Sequence, residues 1–188
     1  GEDECVKVGI VDAKHLVIPL DKSWRQRSKE EHKTIKEALG LADKKVLLCN
    51  VDNQERKNLG SLLEAMKLLD DTHYLNLVTR KDSPVGWKFD ELIMEFGIQT
   101  KVNVIERGLP LEELWKLYAA SDFFILTSKA EGLNLPILEA QAVGVPVIAT
   151  DCTAVHEHIS DGKGIPLIPD YLNRDVFGNA RRYFVTKR

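Results

Sequence analysis

The sequence predicts an α/β fold in which a parallel sheet of about six strands carries helices on both faces, and three observations lead there. Apolar runs rich in β-branched or aromatic residues recur at Val46–Asn50, Leu75–Thr79 and Asp122–Thr127, with segments of helical period between them. The runs are nearly continuous rather than alternating, as expected of strands covered on both sides. The stretches between them are long enough for the crossover helices that parallel neighbours require.

The elements follow in order. Residues 1 to 40 read as a linker or N-terminal extension, with short strands suggested at Val6–Val11 and His15–Pro19 and a charged, solvated helix over Trp24–Leu39 leading into Gly40. Val46–Asn50 opens the sheet, and Asn58 is the expected N-cap of a helix with Leu59, Leu62, Leu63, Met66 and Leu69 on one face. Leu75–Thr79 is followed by a shorter amphipathic helix from Lys88 to Phe96, closed by Gly97. Val102–Ile105 leads into a helix presenting Leu111, Leu114, Trp115, Leu117 and Tyr118. After Asp122–Thr127, a helix starts on Pro136 and stops on Gly144, and Val145–Thr150 and Ile165–Ile168 continue the sheet. Tyr171–Arg188 holds too little apolar sequence for a second core.

Composition narrows the function classes. With 188 residues, 44% apolar and 29% charged, the chain suits one domain able to bury its own core. A net charge of −3 excludes the basic excess of a nucleic-acid binder. Cys5, Cys49 and Cys152 are odd in number and far apart, which predicts reduced thiols and a cytoplasmic setting. Apolar runs such as Phe123 to Leu126 fall far short of the ~20 residues that span a bilayer, and the acidic Gly1-Glu2-Asp3-Glu4 is unlike a signal peptide.

In open α/β sheets ligands lie beyond the carboxyl ends of the strands, so the loops after Asn50, Thr79, Ile105, Thr127 and Thr150 are the ones to search. The loop from Ser128 to Pro136 runs straight into a helix, and Gly132 and Asn134 both tolerate positive φ. Folded back, it can present several amides beside a helix N-terminus, a cradle for phosphate or diphosphate. Glu131 and Glu139 can flank such a ligand, and as carboxylates they suit sugar hydroxyls rather than the anion. The plainer alternative makes Glu131 a solubilising loop residue and Glu139 a first-turn residue favoured by the helix dipole. After Asn50, Arg56 and Lys57 are adjacent cations able to neutralise a diphosphate as it departs, or else surface partners of Asp52 and Glu55. His156-Glu157-His158 lacks the spacing of a helical zinc motif, and no metal is expected.

The segment Glu131-Gly132-Leu133-Asn134-Leu135-Pro136-Ile137-Leu138-Glu139-Ala140, followed by Val143-Gly144-Val145-Pro146-Val147-Ile148-Ala149-Thr150, resembles the E-x7-E signature and following strand of retaining glycosyltransferases of the GT-B fold. The group it most resembles is family 4, the glycosyl transferases group 1. Arg56-Lys57-Asn58, Leu117-Tyr118-Ala119-Ala120-Ser121-Asp122 and Asp161-Gly162 with Gly164 agree with it in order, so the resemblance covers roughly residues 45 to 168.

The resemblance implies a Rossmann-like, donor-binding C-terminal half over residues 41–188, one half of a GT-B fold whose acceptor domain lies outside this chain. It implies that Glu131 contacts hydroxyls of the transferred sugar, Glu139 the ribose, Arg56 and Lys57 the diphosphate, and that amides of Gly132, Leu133, Asn134 and Leu135 complete the cradle. Arg80 and Arg107 are implied near the base. It also implies a nucleotide sugar as substrate, no cofactor or metal, and peripheral membrane contact, if any, through the acceptor half. Two positions depart from the family pattern: Leu133-Asn134 replaces an aromatic and a glycine, and Asp52 stands where an arginine is common, which weakens diphosphate binding unless Asp52 points away. The same residues also fit a non-catalytic nucleotide- or sugar-binding module, which has no turnover to lose on mutation, or a nucleotide-sugar epimerase, which converts donor without acceptor.

Overall fold

A computed structural model describes residues 19–174 and 181–185. The strands expected at Val6–Val11 and His15–Pro19 lie outside these residues except for Pro19, as does Cys5. The described chain runs α1 (Lys29–Ala38), β1 (Lys45–Asn50), a 3-10 turn (Glu55–Lys57), α2 (Leu59–Leu68), β2 (His73–Thr79), α3 (Phe89–Phe96), β3 (Val102–Glu106), α4 (Leu111–Ala119) and β4 (Phe123–Leu126). It continues through α5 (Leu135–Val143), β5 (Val147–Thr150), α6 (Val155–Ile159), β6 (Ile165–Leu167), β7 (Tyr171–Arg174) and β8 (Arg181–Phe184).

The sheet has six strands in the order β3-β2-β1-β4-β5-β6, and every pairing in it is parallel. α2 packs beside α3, while α4 packs beside α1 and α5, so helices cover the sheet on both sides. Leu48, Leu75, Leu77, Phe124, Leu126, Val147 and Ala149 are buried between the layers, which explains why the strands read as unbroken apolar runs. On α2, Leu59, Leu62, Leu63 and Met66 are buried, each such side chain contributing about 1.5–3 kcal/mol. The strand order reverses between β1 and β4, and the crevice beyond their carboxyl ends is where ligands settle in such sheets.

The expected glycine stops hold, and the expected cap of α2 does not. Gly97 and Gly144 close α3 and α5 at φ 67° and 94°, a conformation glycine enters without a Cβ clash. Asn58 precedes α2 but does not cap it: its backbone turns left-handed at φ 54°, and its Oδ1 instead accepts from the Ser61 hydroxyl at 3.0 Å. The reversal from 3-10 turn to α-helix redirects the side chain away from the helix amides.

The charged helix begins at Lys29 rather than Trp24, because Ser28 stops it with a reciprocal capping box to Glu31. Trp24 lies edge-on against Tyr118 with ring centroids 5.0 Å apart, and Ile35 packs on the core, so this stretch is attached to the domain rather than fully solvated. The trailing segment contains the antiparallel hairpin β7-β8, with Tyr171 stacked on Phe184, where the sequence suggests no strand.

Candidate functional site

Residues 51 to 58 leave β1 at the crevice. Asn53 is buried and staples this loop to the one after β2, its amide donating to Trp87 O at 3.0 Å and its Oδ1 accepting from Trp87 N at 2.7 Å. The 3-10 turn then brings Arg56 and Lys57 against the loop after β4. Lys129 N donates to Arg56 O at 2.8 Å, the Thr127 hydroxyl to Lys57 O at 3.0 Å, and Arg56 Nη1 to Ala130 O at 2.9 Å. Two loops far apart in sequence thus share one hydrogen-bond ladder.

Glu131 sits at the centre. Lys57 Nζ lies 2.5 Å from its Oε1 and Arg56 Nη1 lies 3.1 Å from its Oε2, with the Lys57 and Glu131 side chains 8% and 5% exposed. Burial pushes the Glu131 carboxyl upward, but the Lys57 ammonium and Arg56 guanidinium outweigh it and hold it below its usual value. Burial also lowers Lys57 despite the carboxylate beside it. Arg56 and Lys57 are built around Glu131 and not, as the surface-pair alternative has it, around Asp52 and Glu55. Glu55 is taken by Lys129 and by Arg182 of the hairpin, the latter at 2.7 Å.

A cavity of about 390 Å³ opens here, lined by Asn50, Asp52, Lys57, Arg107, Glu131 and Asn134 among others. Asp52 is among the lining residues. Its carboxylate is compensated by Arg107 at 2.9 Å and Arg80 at 3.3 Å; burial raises it, and these guanidinium groups with Gln54 more than offset that, leaving it below its usual value. Arg80 and Arg107 therefore meet at Asp52, a junction the sequence order does not reveal.

In the loop before α5, Asn134 takes φ 62° and its side chain accepts from Ile137 N at 3.3 Å, so it caps the helix at an amide outside the expected cradle. Gly132 does not adopt positive φ; it is exposed, as is Leu133, whose carbonyl lies 2.7 Å from His158 Nε2, and Leu135 is half-buried. His156 pairs with Asp151 at 2.7 Å, and among the described residues no group of three or more His, Cys, Asp or Glu could hold a metal ion. Nor is any described helix long and apolar enough to cross a membrane.

Glu139 lies beyond the first turn of α5, not in it as the sequence suggests, because the helix already starts at Leu135, and it faces Tyr118. The buried Tyr118 hydroxyl donates to Glu139 Oε2 at 2.7 Å and accepts from the Asn50 amide at 3.1 Å, which ties Glu139 to the end of β1 and the cavity wall. Burial raises the Glu139 carboxyl above its usual value, and the Tyr118 hydrogen bond only partly offsets this. Tyr118 itself is raised well above its usual value by burial and by Glu139. Asn50 and Tyr118 escaped the sequence reading because they sat within strand and helix patterns, where an Asn and a Tyr at element ends are unremarkable.

The profile of the family "Glycosyl transferases group 1" matches residues 31–186. The O-antigen chain mannosyltransferase B of Escherichia coli is 35% identical over 116 residues, which cover 57% of this chain and 29% of that protein. The C-terminal domain of a glycosyl transferase group 1 family protein, LpcC of Francisella tularensis, superposes with TM-score 0.68 at 21% identity, covering 81% of each chain. Anabaena HepE, solved with UDP and glucose, gives TM-score 0.68 at 21% identity over 80% of this chain and 42% of that one. The matched stretches span between 17% and 40% of the length of the curated relatives, 29% for the Escherichia coli enzyme. With the family profile covering most of the chain and the sheet superposing on a C-terminal domain of that family, the chain belongs to the glycosyl transferases group 1, family 4, as the C-terminal half of a GT-B fold.

Proposed function

We propose that this half binds a nucleotide-diphosphate sugar and presents it for transfer with retention of configuration, completed by an acceptor-binding half. The observation that carries the reading is the cluster of Glu131, Lys57 and Arg56 beside the cavity, drawn from the two loops at the switch point of the sheet. The Lys57 ammonium has three donors and gives one to Glu131, leaving others for the departing diphosphate. Glu131, kept ionised, accepts from hydroxyls of the transferred sugar, and Glu139 serves the ribose. Arg56 supports Lys57 in charge, the amides around Gly132, Leu133, Asn134 and Leu135 meet phosphate oxygens, and Arg80 and Arg107 lie towards the base. Support comes from the Escherichia coli relative, named a mannosyltransferase, and from HepE, solved with UDP and glucose. The pairing of Asp52 with two guanidinium groups removes the charge conflict that would favour a non-catalytic module. A cytoplasmic setting is part of this reading, resting on the odd number and wide spacing of the cysteines in the sequence.

The test is a calorimetric and thermal-shift series of UDP, GDP, ADP and their sugar conjugates against this chain and its Glu139→Ala variant. At a hundredfold excess over Kd, one site adds ~2.7 kcal/mol and raises melting by ~5–10 °C. One nucleotide family is expected to bind and to lose about tenfold in the variant. No shift with any of them overturns the assignment.

A further inference from the structure

The loop after β5 also reaches this site. Thr153 in it adopts φ 46°, the left-handed region where a β-branched side chain crowds its own backbone and glycine does not. The residue is exposed, so core packing gives no reason for a threonine there. Its hydroxyl accepts a hydrogen bond from the Glu131 backbone N–H at 2.9 Å and faces Cys152 Sγ at 3.8 Å. Cys152 Sγ donates in turn to Ser128 O at 3.4 Å, so the loops after β4 and β5 are joined at Ser128 and at Glu131. The Glu131 carboxylate is gripped by Lys57 and Arg56, whose long side chains would follow it if its main chain shifted; Thr153 anchors that main chain. Strained residues persist where their surroundings over-determine them, and they gather at functional sites.

We propose that Thr153 is a positioning residue for Glu131, its hydroxyl setting where the carboxylate meets the sugar of the donor. The inference rests on the donor-site reading above. Thr153→Gly removes the strain and the hydroxyl together, whereas Thr153→Ser keeps the hydroxyl. In the 188-residue chain, Thr153→Gly is expected to melt no lower than the parent while the Glu131 amide exchanges about tenfold faster. Affinity for UDP-glucose or GDP-mannose, whichever the parent binds, is expected to fall about fivefold, and affinity for the matching free diphosphate by less than about twofold. Thr153→Ser is expected to restore both. Parent-like exchange in Thr153→Gly, equal losses for free and sugar-bearing nucleotide, or failure of Ser to rescue overturns the inference. A parent that binds neither sugar nucleotide defeats the donor-site reading alone, and Glu131 amide exchange then decides the role of Thr153 in the same terms.

Discussion

Replacing Lys57 by methionine removes one charge while keeping most of the side-chain volume, so the cost reports on Glu131 rather than on a cavity. The ammonium lies 2.5 Å from the carboxylate with both side chains less than a tenth exposed, so solvent screens the pair little. Removing one partner of such a pair costs ~3–5 kcal/mol because the other charge stays buried. Arg56, 3.1 Å from the second carboxylate oxygen, retains part of the compensation and brings the expectation to ~2–3 kcal/mol. For a chain of this length that is a melting decrease of ~4–12 °C.

The pH dependence has a definite sign. In the parent, burial raises the Glu131 carboxyl, but Lys57 and Arg56 prevail and hold it below its usual value. Its stability contribution is therefore complete above the unfolded pKa of about 4.3 and is lost as pH falls through the lower folded value. In Lys57→Met burial is opposed by Arg56 without Lys57, the carboxyl titrates higher than in the parent, and protonation relieves it. The gap between parent and variant is then widest at pH 7 and narrows towards about pH 4. Urea unfolding at both pH values measures it. A gap below ~1 kcal/mol at neutral pH, the size of an exposed pair, or one that acid leaves unchanged, refutes the reasoning.

Two other substitutions probe the surrounding framework. Tyr118→Phe strands the Glu139 carboxylate and the Asn50 amide beside a buried ring; it should cost ~1–3 kcal/mol at neutral pH by urea unfolding, with the Glu139 carboxyl rising further, and a neutral result would mean that both groups find other partners. Ser28→Ala removes the cap of α1 and should lower stability by ~0.5–2 kcal/mol by the same measurement, while leaving nucleotide affinity unchanged because the helix lies away from the strand ends lining the cavity.

The six strands of the sheet and the helices α2 to α5 were legible because each is set by local pattern: near-continuous apolar runs, the apolar face of α2, the stops at Gly97 and Gly144; the short α6 between β5 and β6 was not. Arg56, Lys57, Glu131 and Glu139 were legible as residue types at strand ends, since loops at the carboxyl edge of a parallel sheet are few. What each carboxylate touches was not. Lys57 and Glu131 are distant in sequence and meet because β1 and β4 are neighbours in the sheet, and nothing local states that adjacency. The same holds for Asp52, whose charge looked misplaced until Arg80 and Arg107 converged on it from β2 and β3. Thr153 carried no sequence signal and Tyr118 was legible only as a helix-face residue, because a hydroxyl becomes functional through the partner it faces. The sequence alone determined the order of the sheet strands along the chain, the family and the inventory of charges; tertiary structure decided which charges neutralise each other, because burial and distance, not residue type, set the energy of an ion pair.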